Sequence, residues 1–389
     1  MKTKTRKLSK TFNILAVASI AAILLGSITF FSEQAYSSDA GGNLVVHYDF
    51  EDGVNPTSDV SGHGNDGTLV GEATFSFDVP PILGNTRSLN LTTAGTGDYL
   101  IKNPVAAAPT PFPSTDMTVA FWVKSSDSGI PAFLSYAEAA QFNAVVIQNL
   151  FTGVEGCINN SCTPAGTPGI LDGTWHHIAV TWQSSDGETK VYADGVPTTH
   201  TEATGTSIAG AGSLVLGQEQ DSVGGGFSAS EAFEGLLDDV RIYDRVLTEF
   251  EVLALSTEGC SSGFYKNDAQ KFGVTQWTTI LPDDDFQTVF GLIDDLKGKR
   301  NNKNIAFPEM LEALNTRGSG HNALAREAVA ALLNSQVGSG VDYPLTEAEV
   351  IALVSGALTT NTAESIEDAR ASLFALNHAG CPLLHGPKV

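Results

Sequence analysis

Basic charge is scarce in this chain: 21 lysines and arginines stand against 44 aspartates and glutamates, a formal net charge of −23. Residues 1–37 hold five of the basic residues and a single acid, so the rest is more acidic still. That balance excludes nucleic acid and anionic lipid as natural electrostatic targets and makes divalent cations the natural counter-ions. Long apolar runs are scarce too: Ile14 to Phe31 is one uncharged, mostly apolar stretch, and no second run of that length follows. The four cysteines, Cys157, Cys162, Cys260 and Cys381, are too widely spaced for a thiolate zinc site, and the eight histidines show no ligand pattern. There is no internal repeat and no low-complexity segment. No phosphate-cradling loop and no nucleophile elbow occur, nor any strand with acids at the two-residue steps of a retaining glycosidase. The nearest acidic strand is Asp238-Asp239-Val240-Arg241-Ile242, whose adjacent aspartates strand alternation sends to opposite faces. These absences point to a protein that is not an enzyme.

What is present begins with an export signal. Lys2, Lys4, Arg6, Lys7 and Lys10 precede the apolar stretch, and small residues follow at Ala35-Tyr36-Ser37, so residues 1–37 read as a signal peptide. An uncleaved anchor is the alternative, and only then does the chain meet a membrane. The expected location is secreted or cell surface. An even cysteine count after an export signal reads as disulfides. Cys157 and Cys162 are near neighbours and staple one loop; Cys260 and Cys381 then close a loop of about 120 residues, worth up to roughly 5 kcal/mol in the chain-entropy model.

From 43 to 255 the text is that of β-strands. Met117 to Val123 alternates Val119, Phe121 and Val123 against Thr118, Ala120 and Trp122; His177 to Trp182 does the same, and Asp194-Gly195 makes a tight turn. Strands at this spacing without intervening helices predict an all-β antiparallel sandwich. From 260 to 389 apolar residues recur at three- and four-residue steps over Phe286 to Leu296, Pro308 to Leu314, Ala323 to Asn334, Ala348 to Leu358 and Glu364 to Asn377. Thr346 and Glu349 have capping-box spacing, and Gly380 stands where a C-cap glycine belongs. A small all-α C-terminal domain bracketed by Cys260 and Cys381 is expected.

The chemistry concentrates in Gln218-Glu219-Gln220-Asp221-Ser222-Val223-Gly224-Gly225-Gly226-Phe227. Two carboxylates flanking an amide, followed by three glycines, form a loop whose oxygens can converge, with Glu231 in reach to close it. Ca2+ takes roughly six to eight oxygens at flexible geometry, which such a loop supplies.

Trp175 to Ser184, the Gln218 to Phe227 loop, and Gly235-Leu236-Leu237-Asp238-Asp239-Val240-Arg241-Ile242-Tyr243-Asp244 together resemble the pentraxin family and, more broadly, the laminin-G-like, concanavalin A-like jelly rolls. Asp59-Val60-Ser61-Gly62-His63-Gly64-Asn65-Asp66-Gly67 is similar to the microbial laminin-G-like branch. The resemblance covers roughly Asn43 to Leu255 and implies a calcium-dependent jelly roll. It implies calcium ligands at Glu219, Asp221, the backbone carbonyl of Gln220 and Asn143, with Glu231 a further carboxylate. Phe142 stands where the family has an acid, and Ala120 and Ala179 where it has its disulfide. Gln148 replaces the apolar residue that packs on phosphocholine. The implied function is calcium-dependent recognition or adhesion, with carbohydrate or phosphate-ester ligands on a surface and a homo-oligomer left open. The alternative is an envelope component whose calcium is purely structural. The helical part resembles an uncharacterised module of microbial surface proteins.

Overall fold

A computed structural model of the chain describes residues 44–81, 85–91, 97–105, 111–127, 129–150, 153–166, 169–267, 277–291, 298–300, 303–305 and 309–383. The expected signal, residues 1–37, lies outside them. Two antiparallel sheets face one another. The first runs β13 (Val196–Thr201), β12 (Glu188–Ala193), β11 (Trp175–Gln183), β6 (Asp116–Lys124), β15 (Gly235–Tyr243), β4 (Ser88–Leu91) and β3 (Thr74–Ser76), with β1 (Leu44–Tyr48) also paired to β15. The second runs β10 (Ser161–Cys162), β9 (Gly153–Ile158), β8 (Gln141–Leu150), β7 (Ala132–Glu138), β14 (Ser213–Leu216), β5 (Tyr99–Lys102) and β2 (Thr68–Val70). This is the expected jelly-roll sandwich.

Alternation explains which side chains fill it. Val119, Phe121 and Val123 of β6 point inward with Ile178, Val180 and Trp182 of β11, against Phe133, Leu134, Val145 and Ile147 of the second sheet. The opposite face of β6 and β11 is not left wet. Ala120, Ala179, Tyr192 and Tyr243 pack with Leu247 and Val252 into a second cluster beneath α1 (Glu249–Ala254). That helix, unassigned by the sequence reading, starts at Thr248, whose hydroxyl and Glu251 form a reciprocal capping box.

The bulge in β15 corrects one expectation. Asp239 adopts φ +48 and is inserted so that Leu237 and Val240 both enter the core. Alternation is interrupted, and Asp238 and Asp239 both lie outside the core instead of on opposite faces. Neither is available to a substrate. Asp238 is 0% exposed and accepts from the Asn85 side chain; Asp239, 6% exposed, binds His47 Nε2 at 2.7 Å and Arg241 Nε at 2.9 Å.

The C-terminal part holds α2 (Ser262–Asn267), α3 (Phe286–Val289), α4 (Met310–Asn315), α5 (His321–Asn334), α6 (Glu347–Thr360) and α7 (Ala363–Asn377), with a short ribbon of β16 (Gly298–Arg300) and β17 (Lys303–Ile305). The expected helix from Phe286 is cut short, its C-cap Phe290 being followed by Gly291 at φ +63. Leu296 and Pro308 lie outside the described residues. Thr346 and Glu349 do cap α6 reciprocally. Gly380 is not a C-cap, since α7 ends at His378; Gly380 instead bridges to Gly259, joining the two ends of the helical part. Both expected disulfides are formed, Cys157–Cys162 and Cys260–Cys381. Beneath the second, Asn334 accepts from Cys260 N–H and Tyr265 hydroxyl, and donates to Cys260 carbonyl and Asn377 Oδ1.

Candidate functional site

The acidic loop leaves β14 at Gly217 and folds back over the outer face of the second sheet. Ser135 of β7 donates to the Gln218 carbonyl at 2.7 Å. Gln220 is fully buried, with Nε2 at 3.2 Å from Ser135 carbonyl, 3.1 Å from Ser135 Oγ and 3.0 Å from Ser213 carbonyl. Its Oε1 accepts the Gly224 N–H at 2.8 Å. The side chain of Gln220 is therefore spent on seating the loop, and only its backbone carbonyl is left for ligation. Ser222 and Gly225 exchange backbone hydrogen bonds of 3.1 and 2.9 Å, closing a tight turn. Gly226 has φ +79, and a Cβ there would stand 2.7 Å from Asp221 Cβ, so no larger residue fits. Phe227 packs on Tyr99 with ring centroids 4.7 Å apart, anchoring the far end.

Glu219 is brought inward by this seat and is 7% exposed. Its Oε1 is buried and has no hydrogen-bond partner. Burial, reinforced by the charges of Asp221 and Glu231, pushes its carboxyl up to about 7. A buried acid oxygen without a donor, facing two further carboxylates, costs free energy unless a cation joins it. Glu231 is positioned by the chain returning to the sheet, where its carbonyl accepts Ala132 N–H at 2.9 Å. Glu219, Gln220, Asp221 and Glu231 are thus brought together. Asn143 is not bonded to them among the described residues. It lies half-buried on β8, its carbonyl accepting Asn160 N–H at 3.2 Å. It neighbours the far end of β7, where Ala137 pairs with Ser213 beneath Gln220.

The donor set consists of hard oxygens of a negative, partly buried loop, which fits Ca2+ and does not fit a thiolate or imidazole metal. Glu219, Asp221 and Glu231 would hold it by carboxylates and Gln220 by its carbonyl. The loop carboxylates are spread wider than 4.8 Å as a trio: among the described residues the trio gathered within that distance is Glu155, Cys157 and Cys162, whose sulfurs are joined as a disulfide. The residues that sequence reading missed are Ser135 and Ser213, which seat the loop through a serine hydroxyl and two carbonyls. No local motif marks them: Ser135 comes from a strand 85 residues before Gln220, and Ser213, only seven residues before it on the loop's own stem, contributes a backbone carbonyl that no residue type announces.

Asp59, which opens the Asp59 to Gly67 motif, is consumed by bracing a turn. Its carboxylate accepts the N–H groups of His47, Ser61 and Asn65 at 3.0, 3.0 and 2.9 Å. Buried His177 packs edge-on to Trp122, and burial lowers its ring to about 4, which keeps it neutral and structural. Among the described residues no helix is long and apolar enough to cross a membrane.

Residues 102–289 match the model of the Pentaxin family. The chain is 40% identical to neuronal pentraxin-1 of Rattus norvegicus over 175 residues, covering 41% of this chain and 40% of that protein. It is 39% identical to pentraxin-4 of Homo sapiens over 145 residues, covering 35% and 30%. The chain therefore spans less than half the length of these curated relatives. Among solved structures, a native heptameric SAP-like pentraxin from Limulus polyphemus aligns with 26% identity and a TM-score of 0.35, covering 41% of this chain and 75% of that one. The matched segment from 102 to 289, just under half of the chain, carries the acidic loop and the strands that seat it, and it is this segment that is similar to the pentaxin family.

Proposed function

We propose that this chain is an exported recognition or adhesion protein. Its acidic loop holds Ca2+ through Glu219, Asp221, Glu231, the Gln220 carbonyl and Asn143, and the ion in turn binds hydroxyl, phosphate or carboxylate oxygens of a surface ligand. The observation that carries this reading is the buried, partnerless Glu219 Oε1 beside two further carboxylates. A calcium ion on an open sheet face keeps coordination positions for ligand oxygens. Gln148, cross-strand from Glu155 and donating to it at 2.8 Å, makes the neighbouring floor polar. That floor suits a glycan or phosphate ester better than the methyl groups of a choline. The sandwich binds and does not catalyse: its one adjacent pair of strand acids, Asp238 and Asp239, is buried and internally bonded. The helical part is read as a microbial surface-protein module carried behind the sandwich, and the basic and apolar N-terminus as its export signal.

A glycan and phospholipid array probed with and without calcium tests the reading. Retention that is reversed by chelator and lost in Glu219→Ala supports it. Calcium binding with no retained ligand and calcium-driven self-association would instead favour an envelope component with a structural ion.

A further inference from the structure

We propose that the Cys157–Cys162 hairpin is a second cation site, opened by reduction: Cys157 Sγ, Cys162 Sγ and the Glu155 carboxylate together take one borderline-soft divalent ion of the zinc or cadmium class. One oxygen of Glu155 and the two sulfurs lie within 4.8 Å of one another. Their placement does not depend on the disulfide alone. Cys157 and Cys162 are direct cross-strand partners on β9 and β10. The connecting Asn159 and Asn160 adopt φ +48 and +64, the left-handed pair that a two-residue hairpin turn requires. Asn159 N–H and Asn160 N–H bond the Ala144 and Asn143 carbonyls at 3.0 and 3.2 Å, and Thr163 N–H bonds Gly156 carbonyl at 3.0 Å. Three backbone hydrogen bonds and two cross-strand pairs therefore keep the sulfurs adjacent when the bond between them is broken.

Glu155 precedes Cys157 by two residues on one strand and so shares its face. It is 9% exposed, and Gln148 Nε2 donates to Oε2 at 2.8 Å, which orients the carboxylate as a supporting hydrogen bond orients a metal ligand. Cys162 is exposed and Cys157 buried, so a reductant meets Cys162 first. An external dithiol supplies two electrons and two protons, becoming a disulfide while Cys157 and Cys162 become thiols. The arriving cation displaces both thiol protons to solvent. Two thiolates and a carboxylate are three ligands of a tetrahedral site, leaving a fourth position open. Thiolates on one such ion stand about 3.8 Å apart, a separation that side-chain rotation reaches without moving the hairpin backbone. In oxidising surroundings the bond stays closed and the site is silent. This site shares no residue with the acidic loop and stands whether or not that loop binds calcium.

The test titrates Cd2+ into the full chain in excess calcium, before and after treatment with a phosphine reductant removed anaerobically. The readout is the ultraviolet thiolate-to-cadmium charge-transfer band, with alkylation mapping to identify the opened bond. One equivalent should bind the reduced protein and none the oxidised protein. The doubly substituted C157S/C162S chain, which retains Cys260 and Cys381, should lack the band. Glu155→Gln should keep the band with affinity weaker by about tenfold or more. A reduced wild type that resembles C157S/C162S would overturn the proposal, as would Glu155→Gln binding at wild-type strength. So would a hairpin disulfide that resists every reductant concentration at which the protein stays folded.

Discussion

Replacing Gln220 with alanine removes the seat of the acidic loop without touching a carboxylate. Its amide has two hydrogens shared among Ser135 carbonyl, Ser135 Oγ and Ser213 carbonyl, and one oxygen bonded to Gly224 N–H. Three buried hydrogen bonds at about 1 kcal/mol net each come to about 3 kcal/mol. The loss falls on the ordered loop, because the strands beneath it are held by their own ladders. Calcium must then supply the ordering free energy, so its affinity should weaken by about 100-fold, one decade for each 1.4 kcal/mol. Ser135→Ala removes only the hydroxyl that donates to Gln218 and accepts from Gln220, about 1–2 kcal/mol, and should weaken calcium by about tenfold. Titration calorimetry gives the affinities, and hydrogen exchange of the Glu219 to Gly226 amides should quicken in the same order. Wild-type calcium affinity in Gln220→Ala would refute the seat.

Gly226→Ala forces a Cβ to within 2.7 Å of Asp221 Cβ at a left-handed φ, so it should lower calcium affinity while the melting temperature in chelator barely moves. Against the upward push of burial, Arg241 and His47 hold Asp239 down at about 2. Its folded value lies below the unfolded one of about 3.9, so its stabilisation is present above that and lost as pH falls toward 2, on the order of 2 kcal/mol. Denaturant melts of wild type and Asp239→Asn should therefore converge near pH 2, and a constant gap would contradict the assignment. Burial and the charges of Asp239 and Glu51 push Asp238 up to about 8, the opposite sign, so stability should decline from about pH 4 to 8. Asp238→Asn should melt higher than wild type at alkaline pH. Asn334→Ala strands the Cys260 N–H and the Tyr265 hydroxyl in the helical core and should cost about 3 kcal/mol by chemical denaturation.

Much of the architecture was legible because local periodicity and burial agree. Val119, Phe121 and Val123 point into the sandwich core because strand geometry forces every second side chain to one face. Thr346 and Glu349 cap α6 because the spacing itself makes the hydrogen bonds. The pairing of Cys260 with Cys381 followed from their flanking one helical text. What escaped depended on interruptions and on distant partners. Asp239 breaks alternation through a bulge that no residue type announces, a non-glycine at positive φ held by His47 and Arg241. Thr248-x-x-Glu251 was a readable capping box inside the β text, overlooked because α1 is short. In the candidate site the carboxylates Glu219, Asp221 and Glu231 were legible as a cluster. The burial of Gln220 beneath them was not, since an amide between two acids reads as a ligand until Ser135 and Ser213 are seen under it.

The central claim is tested most directly by thermal melts of the full chain in calcium and in chelator. Wild type should melt higher in calcium, with a stabilisation of about 2.7 kcal/mol at a hundredfold excess over Kd. Glu219→Ala and Asp221→Ala should each lose most of that gain yet melt in chelator as folded proteins. Identical wild-type melting with calcium and with chelator would contradict the account and reduce the loop to a solvated acidic turn.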